Sequence, residues 1–457
     1  MKKKTSEQIT RREFVSGALA GAAVTALPKT LAQSRRPNIL FILADDLGYG
    51  DLSSFGRPDY TTPNLDRLAA QGIRFTNAYS ASPVCTPTRC AFITGRYPAR
   101  TPVGLEEPLA WKRNLGDRID VTGLSPDHPT IASLLKKNGY ATSLVGKWHL
   151  GYLPNFGPIQ SGFEEFFGIM SGAVDYFTYK DAFGELDLFE AKVPVQRMGY
   201  LTDMLTERAL QVISRRHTRP FYLSLHYTAP HWPWEGPKDR AASATLKEGY
   251  DGFTAGGSLK TYAIMMKSLD DSIGQVMRAL SRANLDRETL VIFTSDNGGE
   301  RFSYNWPFSG EKGELLEGGI RVPAIVRWPG VIAPGRSTAQ VAITMDWTAT
   351  ILAATQTKAE AQYPLDGLNL LPLLKGQSNT EQRTLFWRYY NQDAIRMGNW
   401  KYLKRDDTEY LFDLSIDHRE QADFKTSNQD LFARLKSEFT KWEKTVLPRA
   451  EHTRPLR

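Results

Sequence analysis

The sequence predicts an α/β protein: a large mixed, mostly parallel sheet flanked by helices, followed by a small antiparallel sheet with one helix. Three observations predict it. Short apolar runs alternate with helical patterns along most of the chain, the signature of a largely parallel sheet. Four of these runs end on charged or imidazole groups, and ligands bind at the carboxyl ends of strands in an open α/β sheet. From about Gln382 the texture changes to short strand-like segments separated by turns.

Asn38 to Leu43 (N-I-L-F-I-L) is an apolar run suited to a buried strand, and Asp45-Asp46 follow it. Ile131 to Lys137 has a helical pattern, closed by Asn138-Gly139, a good C-terminal cap. Ala141 to Val145 then reads as a strand and leads into Gly146-Lys147-Trp148-His149. Phe221 to His226 is a third strand, running on to Pro230-His231, and Leu290 to Thr294 a fourth, ending at Ser295-Asp296-Asn297. One such ending means little, because Asp and Asn also cap helices; four suggest a shared site for a phosphate or sulfate ester. Beyond Gln382, Ala394 to Met397, Trp400 to Leu403 and Tyr410 to Leu414 read as antiparallel strands, with a helix over Gln429 to Thr445.

Composition excludes several classes. The 457 residues are 41% hydrophobic and 23% charged, with 36 glycines and 26 prolines, which suits a globular protein and not a fibrous or disordered one. Two cysteines five residues apart cannot build a disulfide framework. Of the formal charge of +7, +4 lies in residues 1–32, where six basic residues face Glu7 and Glu13, leaving +3 on the rest. A body that mildly basic gives no reason to expect a nucleic-acid partner. Arg11-Arg12 precedes a weakly apolar stretch, Phe14 to Leu27, and small residues near Ala32 suit cleavage. Residues 1–34 therefore resemble a twin-arginine export signal, which implies the twin-arginine machinery as a partner and a periplasmic or secreted location. No cysteine follows the apolar stretch, so no lipid anchor is expected there, and no body segment has the length of a membrane span. The expected organisation is a leader (1–34), a catalytic domain (35–378) and a C-terminal subdomain (379–457).

The sharpest motif is Cys85-Thr86-Pro87-Thr88-Arg89, followed by Thr94-Gly95-Arg96. C-x-P-x-R followed by T-G-R resembles the signature of the formylglycine-dependent sulfatases of the alkaline phosphatase superfamily, and the likeness runs from Asn38 into the C-terminal region. The resemblance implies an alkaline phosphatase-like fold and oxidation of Cys85 to formylglycine (3-oxoalanine) by a formylglycine-generating enzyme or maturase. The hydrated aldehyde is a geminal diol. One hydroxyl attacks sulfur; deprotonating the other then expels sulfate and restores the aldehyde. Pro87 suits the first turn of a helix, placing residue 85 near a helix N-terminus, which favours an anion, and Arg89 adds a cation.

By the same resemblance Asp45, Asp46, Asp296 and Asn297 are metal ligands, joined by residue 85. Oxygen ligands alone favour Ca²⁺, with Mg²⁺ the alternative. Lys147 corresponds to a lysine that binds sulfate and the diol, His149 to the base that releases sulfate, His231 to the histidine at the ester oxygen, and Lys312 to a second sulfate-binding lysine. His226 and Cys90 are assigned no chemistry. Ser171 matches a substrate-contacting position loosely.

Three stretches, Gly162 to Phe177, Asp296 to Gly299 and Asn305 to Lys312, resemble the arylsulfatase B-like branch that includes N-acetylgalactosamine-4-sulfatase. The expected substrate is therefore a sulfated saccharide of the galactose type, or an aryl sulfate. Trp232, Trp234 and Trp306 are candidate platforms for a sugar ring, with seam-filling as the alternative. Lys112 and Arg113 are candidates for meeting a neighbouring anion. Two further readings stand beside this one: a phosphodiester or phosphonate monoester hydrolase on the same scaffold, and a non-catalytic binder of sulfated glycans.

Overall fold

A computed structural model describes residues 36–449. The predicted leader lies outside the described residues. In chain order the strands are β1 (Asn38–Ala44), β2 (Ile73–Phe75), β3 (Ala78–Tyr79), β4 (Ala141–Gly146), β5 (Glu165–Ile169), β6 (Leu188–Glu190), β7 (Val193–Pro194) and β8 (Phe221–His226). They continue with β9 (Thr289–Ser295), β10 (Ala324–Arg327), β11 (Arg336–Thr338), β12 (Ala342–Ile343), β13 (Thr384–Tyr389), β14 (Gln392–Met397), β15 (Trp400–Arg405) and β16 (Thr408–Asp413).

Ten of them form one sheet in the order β11-β2-β10-β9-β1-β8-β4-β5-β6-β7. The central run β9-β1-β8-β4-β5 is parallel throughout, and the antiparallel pairs β10–β9 and β5–β6 make the sheet mixed. Register matters most here. Ala44 lies opposite Ser295, Leu43 opposite His226, and His226 opposite Gly146, so four adjacent strands end almost level. Residues that follow those ends emerge side by side at one edge.

Alternation along β1 explains why the strand is apolar on both faces. Leu40, Ile42 and Ala44 join the core beneath the helices Leu201–Ser214 and Leu259–Arg282. Ile39, Phe41 and Leu43 join the opposite core, with the helices Cys85–Thr94, Ile131–Lys137 and Thr344–Ala354. The helix over Ile131–Lys137 matches the sequence reading, and Thr130 closes a capping box with Ser133. No helix among the described residues is long and apolar enough to cross a membrane.

The C-terminal strands form the antiparallel meander β13-β14-β15-β16, followed by a helix over Gln429–Glu443. Sequence reading missed β13, whose residues (T-L-F-W-R-Y) alternate burial along the strand. The small sheet shares its core with the catalytic region: Leu385, Trp387, Ile395 and Leu411 cluster with Tyr79, Val84, Ala91 and Ile320. A buried charge network crosses the same boundary. Lys401 Nζ sits 3.0 Å from Glu317 Oε1 and 2.7 Å from Glu420 Oε1, while Glu317 Oε2 meets Arg321 at 3.2 Å and accepts from the Tyr79 hydroxyl at 2.5 Å. Burial opposes ionisation of Glu317, but Lys401, Arg321 and Arg396 overcome it and hold the carboxyl well below its usual range.

Removing one partner of a buried pair leaves an uncompensated charge, at a cost of about 3–5 kcal/mol. Lys401→Ala is therefore expected to lower unfolding free energy by about that amount, measured by denaturant titration. A surface variant such as Lys436→Ala, whose partner Glu409 is only partly covered, is expected to change it by less than about 1 kcal/mol.

Candidate active site

Asp45 and Asp46 follow β1, Lys147 and His149 follow β4, His231 follows β8, and Asp296 and Asn297 follow β9. The level strand ends thus bring seven predicted residues to one edge of the sheet. All seven are buried. Cys85 is the first residue of a ten-residue helix whose side chains are all buried, and its N-cap residue, Val84, makes no side-chain capping bond. Cys85 offers its sulfur within 4.8 Å of ligand oxygens of Asp45 and Asp296, so the helix N-terminus stands at the site, where it favours an anion.

The side chains form a charge-balanced cluster. Lys147 Nζ meets Asp45 Oδ2 at 2.7 Å, and Lys312 Nζ meets Asp46 Oδ2 at 2.6 Å. Arg89 grips Asp296 Oδ2 through Nε (3.1 Å) and NH2 (2.8 Å), with Asp45 Oδ1 3.6 Å away. Asn297 Nδ2 donates to Asp46 Oδ1 at 2.8 Å, and the Asp46 backbone N–H donates to Asp296 Oδ1 at 3.2 Å. Burial and the charge of Asp45 nevertheless push the Asp296 carboxyl up to about 6, against the pull of Arg89 and Lys147.

Backbone geometry at the strand ends is special. Asp46 (φ 60°) and His149 (φ 55°) both occupy the left-handed region, which non-glycine residues enter at a cost. Gly146 has φ 115°, and a Cβ there would lie 1.8 Å from the His226 carbonyl oxygen. The glycine of G-K-W-H is thus required for β4 to pass β8 so closely.

Hydrogen bonds fix the histidine tautomers. His149 Nε2 lies 3.0 Å from the Leu109 carbonyl, which can only accept, so Nε2 carries the proton and Nδ1 is the basic nitrogen. Among the described residues that buried Nδ1 has no hydrogen-bond partner. His231 is the mirror case: Nδ1 donates to the Trp232 carbonyl at 2.6 Å, leaving Nε2 basic and 3.5 Å from Asp46 Oδ2. Burial, followed by Lys147 for His149 and Lys312 for His231, lowers both histidines well below the usual value. His226 donates from Nδ1 to the Lys147 carbonyl and accepts from Ser224 at Nε2, a positioning role behind Lys147 and Arg89.

The oxygen-rich pocket suits a hard divalent cation. Asp45, Cys85 and Asp296 offer ligand atoms within 4.8 Å of one another, as do Asp45, Asp46 and His231. Among the described residues Asp45 Oδ1 and Asn297 Oδ1 are buried without a hydrogen-bond partner, acceptors that suit a cation.

Other expectations fare differently. The Ser171 hydroxyl donates to the Ala173 carbonyl at 3.0 Å, so it is tied into its own loop. Its neighbour Gly172 matters more, because a Cβ there would lie 2.7 Å from His149 Cε1. Trp232 and Trp234 are 7% and 6% exposed. Their rings are occupied by packing on Trp111, Tyr250, Phe253 and Phe302, which leaves little of either as a stacking platform. Trp306 is 52% exposed, with Arg419 over its ring. Sequence reading missed Glu300, whose Oε2 accepts from Trp232 Nε1 at 2.9 Å and lies 3.6 Å from Lys312; its place directly after D-N-G-G was the available signal.

A family model described as Sulfatase matches residues 37–357, more than half of the chain. The chain belongs to the sulfatase family. A second model, N-sulphoglucosamine sulphohydrolase, C-terminal, matches residues 310–445 of this sulfatase. It is 36% identical over 388 residues to N-acetylgalactosamine-6-sulfatase of Mus musculus, covering 80% of this chain and 71% of the relative. It is 36% identical over 412 residues to arylsulfatase A of Homo sapiens, covering 82% and 76%. Among solved structures it resembles Ps i-CgsB in complex with k-i-k-neocarrahexaose at 31% identity and a TM-score of 0.78, covering 89% of this chain and 93% of that one. The sulfatase is thus an enzyme that hydrolyses sulfate esters on the expected alkaline phosphatase-like fold, and the non-catalytic binder reading falls away.

Gly172→Ala tests the support of His149. The added methyl pushes directly on the imidazole, so kcat for sulfate-ester hydrolysis is expected to fall by about tenfold or more, while the melting temperature moves by only a few degrees.

Proposed function

We propose that this sulfatase releases inorganic sulfate from a saccharide of the galactose type, N-acetylgalactosamine above all, and that residue 85 acts as formylglycine. The position of residue 85 carries the reading. It opens a buried helix, its sulfur stands among the oxygens of Asp45 and Asp296, and the charges of Lys147 and Lys312 act on it. As a thiol it suits nucleophilic work poorly, because burial outweighs both lysines and raises its pKa. Formylglycine, as its hydrate, would supply a hydroxyl nucleophile and a second hydroxyl whose deprotonation releases the product.

The side chains divide the remaining work. Lys147 and Lys312 hold sulfate oxygens, and Arg89 fixes Asp296 while adding positive potential. His149, with Nδ1 as its basic nitrogen, takes the proton that frees sulfate. His231, with Nε2 directed at the cluster, serves the ester oxygen of the leaving alcohol. Asp45, Asp46, Asp296 and Asn297 would hold Ca²⁺ (or Mg²⁺), which supplies Lewis acidity toward a sulfate oxygen and the residue 85 hydroxyl. Three carboxylates balance Arg89, Lys147 and Lys312, so a dication gives the site a net charge of about +2, matched to the dianion it releases.

Twin-arginine export to the periplasm or beyond, and maturation by a formylglycine-generating enzyme or maturase, belong to the same reading, supported by Arg11-Arg12 and the C-x-P-x-R motif. So does a C-terminal subdomain over 379–457.

Sulfate release is the test, using protein whose 75–89 peptide is shown by mass spectrometry to carry formylglycine. Galactosamine 4- and 6-sulfates are expected to be hydrolysed faster than glucosamine sulfates, with an aryl sulfate as a simple reporter. Turnover of a phosphodiester but of no sulfate ester would overturn the reading. Chelation is expected to abolish activity, with Ca²⁺ or Mg²⁺ restoring it, and Cys85→Ala to lower kcat by at least about 10³-fold.

A further inference from the structure

Beside Lys312 stands a group of aromatic and acidic side chains that no catalytic role uses. Trp232 is packed edge-on by Tyr250 (ring centroids 5.4 Å apart) and tilted against Trp111 (6.2 Å). Lys312 Nζ lies 5.7 Å from the centre of the Trp232 ring. Tyr250 contrasts with buried Trp232: it is 48% exposed while packing edge-on against the ring that Lys312 approaches. The Tyr250 ring is thus joined to the Lys312 end of the site through the Trp232 ring.

Glu300 completes the arrangement. Its Oε2 is fixed by Trp232 Nε1 at 2.9 Å and faces Lys312 at 3.6 Å. Its side chain is 25% exposed, and its polar contacts with Trp232 and Lys312 are both made through Oε2. An aromatic ring left half open offers a face to the C–H face of a pyranose. An oriented carboxylate oxygen beside it accepts a hydrogen bond from a hydroxyl, and it repels a second anion.

We propose that Tyr250 and Glu300 form the sugar-selecting subsite: Tyr250 stacks on the ring bearing the scissile sulfate, and Glu300 Oε1 accepts a hydroxyl of that ring. The preferred substrate then carries a free hydroxyl, not a second sulfate, beside the ester. This deepens the saccharide sulfatase reading and rests on it.

The test compares a monosulfated N-acetylgalactosamine saccharide, its counterpart with two sulfates on the same ring, and an aryl sulfate. Glu300→Gln keeps an acceptor but removes the charge, so kcat/KM for the disulfated sugar relative to the monosulfated one is expected to rise by about tenfold or more. Tyr250→Ala is expected to reduce kcat/KM for the monosulfated saccharide at least about tenfold more than for the aryl sulfate. Calorimetric titration of both saccharides into Cys85→Ala protein, with and without Glu300→Gln and Tyr250→Ala, reads the same preferences as dissociation constants without turnover. An unchanged mono-to-disulfate preference in Glu300→Gln, or equal losses on saccharide and aryl ester in Tyr250→Ala, overturns the subsite. Absence of sulfate release from every substrate is instead the failure of the catalytic reading, and the calorimetry still decides the subsite.

Discussion

Buried charge is the constraint around which this molecule is built. Asp45, Asp46 and Asp296 cannot sit together in a dry pocket unless cations answer them, because like charges at such range in a low dielectric repel strongly. Arg89, Lys147 and Lys312 come from three separate parts of the chain to answer them. Each must be delivered accurately, and the level ends of four parallel strands, with a buried helix above them, are the delivery device. Asp296 still feels strain in this balance, since its carboxyl stays raised despite two hydrogen bonds from Arg89.

Much of this was legible in one sequence. Apolar runs followed by Asp, Lys, His or Asn pointed to strand ends, and the observed strands β1, β4, β8 and β9 agree with the expected runs to within a residue at either end. The reason is local: a strand buried on both faces must be apolar along its length, and it stops where polar chemistry begins. The helix at Ile131–Lys137 was legible through its cap for the same reason.

What stayed hidden depends on contacts between distant segments. Nothing local marks Gly172 as the residue behind His149, and the place of Glu300 after D-N-G-G puts it near the site without pairing it to Trp232. Trp232 and Trp234, read as platforms, are consumed by packing among aromatics more than a hundred positions away in the case of Trp111, whereas Tyr250 gave no local signal and is the ring left open. Strand β13 escaped notice because its alternation is written in partly buried Thr, Phe and Arg, not in a clean apolar run. The Glu317–Lys401–Glu420 network joins residues that cannot be paired from spacing alone.

That network also orders events in time. Glu317 lies five positions after Lys312, and Lys401 is the strongest of the three cations that offset its burial. During synthesis, Lys401 leaves the ribosome roughly 84 residues after Glu317, several seconds later at ordinary elongation rates. Until then Arg321, four residues on, is the nearest cation Glu317 has to settle against. In the finished fold Cys85 is 2% exposed, beyond the reach of another protein's active site. Any enzyme that alters residue 85 would therefore have to meet the chain before the fold closes around that helix.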